Sequence, residues 1–121
     1  MVDLSDVEAV RPYPIRMCRS PALRINPPNL DIQKHNWRPF TVIEDATRSK
    51  YTDAGAWAFI ADCLQAGAET ECKPPTSEHR DYAYVMKCAD APGARRIYTK
   101  IAIIPPHVRV LGISFHFEQP R

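Results

Sequence analysis

The run HVRVLGISFHFE (107–118) constrains the fold most, because apolar residues recur at every second position around a glycine and a histidine. A second run, RRIYTKIAII (95–104), alternates in the same way, and Pro105 and Pro106 separate the two. Side chains of a strand point alternately to opposite faces, so each run can bury one face and leave the other polar. A short loop of Pro105, Pro106 and His107 lets Ile104 pair with Val108. Even-numbered residues then face even-numbered ones. The odd set (Ile97, Thr99, Ile101, Ile103, then Arg109, Leu111, Ile113, Phe115, Phe117) forms the face that takes a helix. The even set gathers Tyr98, Lys100, Ser114 and His116 at one end, with Ala102 and Gly112 as a shallow depression in the middle.

The rest of the chain supplies the cover. Thr52 is a good N-cap, and Trp57, Ile60, Cys63 and Leu64 recur at helical spacing, with Ala56 and Phe59 widening the stripe. Gly67 is a natural stop, so a helix is expected over 53–66. YAYVMKC (82–88) and FTVIED (40–45) read as strands, CKPPTSEHRD (72–81) as a polar loop and ADAPGA (89–94) as a turn. Six of the twelve prolines (Pro12, Pro14, Pro21, Pro27, Pro28, Pro39) lie in the first forty residues. Proline lacks a backbone donor and restricts its predecessor, so residues 1–40 are expected to be a proline-rich arm. It has one short helix at SDVEAV, where Ser5 and Glu8 suit a capping box, and Trp37 and Phe40 anchor its end. The expected architecture is α+β: an antiparallel sheet of three to four strands over 41–121, one main helix on one face, and the arm.

The 121 residues fit one domain. MVDLSDVEAVRPYP has no basic-then-apolar leader, and no apolar run approaches the ~20 residues of a membrane helix, so a cytoplasmic chain with reduced thiols is expected. Cys18, Cys63, Cys72 and Cys88 include no Cys-x-x-Cys pair. A mixed metal set of Cys63, Cys72, His79 and Cys88 lacks the close pairing such sites show, so neither metal nor other cofactor is expected. With four glycines there is no glycine-rich phosphate loop, and Ser114 lacks the sharp turn of a serine nucleophile. A net charge of +2 permits nucleic-acid binding without requiring it. The even face holds a phosphate-seeking lysine, a histidine that trades protons near neutral pH and a tyrosine able to stack on a base. The plain alternative is the solvated side of a sheet.

The order helix, loop, strand, turn, IYTKIAII, then VLGISFHFE over about residues 52–118 resembles the MqsR-type mRNA interferase toxins, within the RelE/ParE-like toxin group. Lys73 lies at a matching distance before IYTKI. His116 stands where that family's pattern has lysine, Val85 where it has a polar residue, and residues 1–40 match nothing in it. The resemblance implies a small sheet with helices on one side, metal-free mRNA cleavage through 2′-hydroxyl attack, and neutralisation by an antitoxin. His116 would be the general acid or base, Lys100 and Lys73 would stabilise phosphate charge, and Tyr98 would orient the nucleotide. Arg80, Arg95, Arg96 and Ser114 would hold flanking RNA. Two other readings stand beside it: a non-enzymatic protein-binding module, and a toxin-group relative acting on another target such as gyrase.

Overall fold

Alternation sets the register of the two long C-terminal strands, and one residue breaks it. The computed structural model describes residues 3–25, 36–44, 48–76, 81–104 and 109–118. Its elements are α1 (Val7–Val10), α2 (Pro12–Cys18), β1 (Arg24–Ile25), β2 (Asn36–Trp37), α3 (Asp53–Gln65), β3 (Glu71–Lys73), β4 (Ala83–Ala89), β5 (Arg96–Ile104) and β6 (Arg109–Phe117). From Ile97↔Phe117 to Lys100↔Ser114 the pairing of β5 with β6 joins even to even, as alternation predicts. At the next step Ile101 pairs with Gly112, and the shift continues to Ile104↔Arg109. Ile113 is therefore the extra residue of a β-bulge.

The bulge corrects the expected faces. Val110 and Gly112 turn toward the helices beside Ile101 and Ile103, while Leu111 and Ile113 join Ala83 and Ala102 on the opposite side. Gly112 makes no depression there. A Cβ on it would lie 2.7 Å from two ring carbons of Trp37, so the missing side chain is the seat of that indole. Trp37 meets Trp57 at 4.7 Å and Phe115 at 5.7 Å between ring centroids, and its Nε1 donates to Asp53 Oδ1 at 2.8 Å. One side chain thus joins β2, β6 and α3.

The sheet is larger than the expected three or four antiparallel strands, and it is mixed. Its order is β1-β6-β5-β4-β3, with β2 also on β6, so five positions are filled. β1 and β2 both run parallel to β6. β3, expected as loop, is the antiparallel edge partner of β4. Nor is there one main helix with an arm: α2 packs on α3, and Val10, Met17 and Cys18 are in the core. Pro12 and Pro14 occupy the first turn of α2, where the backbone N–H groups have no intrahelical acceptor to lose. The capping box at Ser5 gives way to Asp6, whose carboxylate accepts from Ala9 N. FTVIED forms a 3-10 turn at Pro39–Thr41 and a single bridge, Ile43↔Lys50, leaving Phe40 exposed rather than anchoring.

α3 begins with Thr52 accepting from Gly55 N and buries Ala56, Trp57, Ile60, Ala61 and Leu64. At its other end Arg11 donates to Leu64 O at 3.3 Å and Ala68 O at 3.0 Å, and it also pairs with Glu8. Cationic side chains suit free carbonyls at a helix C-terminus. The Tyr51 hydroxyl donates to Asp90 Oδ2 at 2.9 Å, fixing the approach to α3 against the β4–β5 turn. Among the described residues no helix is long and apolar enough to cross a membrane.

Gly112→Ala should cost about 1–3 kcal/mol, because the new methyl drives the Trp37 ring off its seat. Urea unfolding followed by tryptophan fluorescence measures this, and an unchanged midpoint would contradict the seating. Thr52→Ala should cost about 1 kcal/mol through the lost cap.

Candidate functional site

The bulge leaves the bottom half of the β5–β6 ladder in its original register, and that half carries the polar residues. Tyr98 faces His116 and Lys100 faces Ser114 directly across the two strands. All four lie opposite the helices. Continuing across β4 and β3, Lys87 stands beside Tyr98, Val85 beside Lys100, and Glu71 beside Val85. The sheet thus lays these residues in adjacent rows on one face.

The Tyr98 and His116 rings stack at 5.2 Å with 16° between their planes. His116 Nδ1 is 2.7 Å from Phe117 O. A carbonyl only accepts, so Nδ1 carries the hydrogen and, in the neutral ring, Nε2 holds the lone pair. Burial raises the pKa of the Tyr98 phenol, the Lys73 charge lowers it and Glu71 raises it, and the net direction is upward. Lys73, expected in a loop, therefore sits on the edge strand close enough to act on Tyr98. Its ammonium is already paired with Glu71 at 2.8 Å, which raises its own pKa. Lys100 makes no ion pair with any described residue, and Ser114 is 8% exposed.

The remaining candidates divide. Arg96 is held by Glu118 through two contacts, 2.6 and 2.7 Å. Lys87 approaches the same carboxylate at 3.6 Å. The Arg95 guanidinium lies 4.2 Å from the centroid of Phe117, a neighbour of the core cluster, and so is turned from His116. Arg80 and His79 lie outside the described residues. Lys87, Glu71 and Glu118 were not among the sequence candidates. Pairing 82–88 with 95–104 in register would have put Lys87 beside Tyr98. Glu118 is two residues past His116, the strand spacing of one face. A cavity of about 250 Å³, lined by Glu69, Glu71, Val85, Lys87 and Arg96, opens on this side. No cluster of three or more His, Cys, Asp or Glu side chains suited to a metal occurs among the described residues.

No family model, curated protein or solved structure matches the chain. The chemistry of the face must be argued from its own geometry. What it offers is an imidazole with one ring nitrogen against a carbonyl, a phenol beside it, one cation without an ion-pair partner among the described residues and three matched to carboxylates.

Arg96 lowers the pKa of the Glu118 carboxyl below its ordinary 4.5, chiefly by hydrogen bonding. A group depressed on folding stabilises above its unfolded pKa and loses that contribution as pH falls through the folded one. The stability difference between the native chain and Glu118→Gln should accordingly be largest near pH 7 and shrink below about pH 4. Urea midpoints for both at several pH values test this.

Proposed function

We propose that the Tyr98–His116 face is the working surface of a small metal-independent endoribonuclease that acts on messenger RNA in the cytoplasm and is held inactive by an antitoxin protein. The observation that carries this reading is the stacked Tyr98–His116 pair, with His116 Nδ1 against Phe117 O, in the row next to a lysine that has no ion-pair partner among the described residues. The resemblance of IYTKIAII and VLGISFHFE to the MqsR-type toxins supports the same chemistry.

In this scheme His116 Nε2 takes the proton of a ribose 2′-hydroxyl, and the 2′-oxygen attacks the adjacent phosphorus. Lys100, assisted by Lys73, stabilises the charge that builds on the phosphoryl oxygens. The Tyr98 phenol, kept protonated by its raised pKa, donates to the leaving 5′-oxygen. The products are a 2′,3′-cyclic phosphate and a 5′-hydroxyl. Ser114 and Arg96 hold flanking phosphates, the latter after exchanging Glu118 for RNA.

A second reading rests on a different observation. Glu71 pairs with Lys73, and Glu118 is shared by Lys87 and Arg96, leaving a face of alternating sign. Such a face suits a protein partner of complementary pattern without catalysis.

Cleavage of an end-labelled single-stranded RNA in excess EDTA separates the two. The ribonuclease reading expects cyclic-phosphate ends, a loss of roughly 10²–10⁴-fold with His116→Ala and at least about tenfold with Lys100→Ala. Cleavage unaltered by both substitutions removes these residues from the mechanism. Intact RNA despite growth arrest on expression would sink the reading and point to another target.

A further inference from the structure

Opposite charges face each other across the cavity on the polar side of the sheet without meeting. β3 begins at Glu71, opposite Val85, while β4 runs on to Ala89. Beyond Val85, β4 therefore has no strand beside it on that edge among the described residues. The gap is the cavity of about 250 Å³. Glu69 and Glu71, at the strand spacing of one face, line it from the β3 side. Lys87, opposite Tyr98, and Arg96, opposite Ala89, line it from β4 and β5. Val85, 4% exposed, is the apolar part of the lining.

Each wall is balanced from outside. Glu71 pairs with Lys73 at 2.8 Å, and Glu118 takes Arg96 at 2.6 Å and Lys87 at 3.6 Å. Neither Lys73 nor Glu118 lines the cavity. Among the described residues no ion pair joins the two walls, and Glu69 has no ion-pair partner. The walls still feel each other. The hydrogen bond from Lys73 does most to lower the Glu71 carboxyl below its ordinary 4.5, and the Lys87 charge adds to this without touching it.

We propose that this cleft binds a free α-amino acid as its zwitterion, the ammonium donating to Glu69 and Glu71, the carboxylate accepting from Lys87 and Arg96, and an apolar side chain lying against Val85. A ligand charged at both ends gains from both walls through charge-assisted hydrogen bonds. A plain anion of this size meets the two carboxylates, and a plain cation meets the lysine and arginine, so each loses at one wall what it gains at the other. The volume lies below the roughly 300–1,000 Å³ of pockets for drug-sized ligands and suits a single amino acid. The walls are open to water and salt screens them, so the affinity is on the order of millimolar. The site shares Arg96 with the ribonuclease reading and does not depend on it.

The test is an NMR titration of the isotope-labelled full chain with L-leucine at low ionic strength. The expected result is saturable shifts at the amides of Glu69, Glu71, Val85, Lys87 and Arg96. N-acetyl-L-leucine and L-leucinamide, each lacking one of the two charges, should bind at least about tenfold more weakly. Glu69→Gln should weaken leucine in the same sense. Shifts that are absent or do not saturate, or that are equal for leucine and its blocked analogues, would overturn the assignment. Tighter binding of adenosine 5′-monophosphate than of leucine at these residues would overturn it too, and would give the cleft to RNA. The comparison of analogues uses the native chain, so it decides the matter even where a variant fails to fold.

Discussion

The contact between the Trp37 indole and the backbone of Gly112 is the joint on which the layers meet. Any side chain at that position would occupy the ring's place, as the 2.7 Å separation from a notional Cβ requires. The ring in turn closes on Trp57 and Phe115 and hydrogen-bonds Asp53 at the start of α3. Gly112 can face the helices because Ile113, the next residue, is bulged out of register. The bulge thus does two things at once. It brings the glycine under the indole, and it leaves Ser114 and His116 on the far face with Lys100 and Tyr98. A polar surface and an aromatic core are built from one strand by a single extra residue, next to the candidate site, where bulges commonly re-aim side chains.

Much of this architecture is legible in the chain, and the illegible parts have physical reasons. α3 announces itself through Thr52, the spacing of Trp57, Ile60 and Leu64, and Gly67, whose φ of +83° is easy only for glycine. β5 and β6 follow from alternation, and β4 from its aromatic and β-branched residues. The bulge does not, because Ile113 continues the apolar rhythm of Leu111 and Phe115 and looks like any other inward residue. The signal was Gly112, since a glycine inside a strand pattern marks a bulge or a close backbone approach. α2 was hidden by its own prolines, which forbid a helix interior yet suit a first turn. β1 and β2 are two residues each, too short to show a period, and their partner is far away in sequence.

The four polar residues that alternation assigns to one face do share it, and the structure changes their company. Tyr98, Lys100, Ser114 and His116 are together because their half of the ladder keeps its register. Arg95 and Arg96, adjacent in sequence, part ways: one lies over Phe117 and the other grips Glu118. Counting cations overstates the field that an RNA would meet, since Lys73, Lys87 and Arg96 face carboxylates at short range. Surface ion pairs are weak and screened by salt, so a polyanion with several phosphates can compete for them. Anion binding at Lys73, Lys87 or Arg96 therefore entails an exchange of partners, whereas Lys100 has no ion pair among the described residues to give up.

The parallel pairing of β1 and β2 with β6 fixes an order of assembly. As the chain leaves the ribosome, Arg24 and Trp37 emerge well before the strand that will receive them, because Val110 and Phe115 lie far downstream of them. The aromatic ring that ends by locking the layers together must wait, unhoused, until that strand has been made. The native sheet therefore cannot close before β6 is made, and a ribosome stalled ahead of it would hold a nascent chain in which the seat of the Trp37 ring does not yet exist.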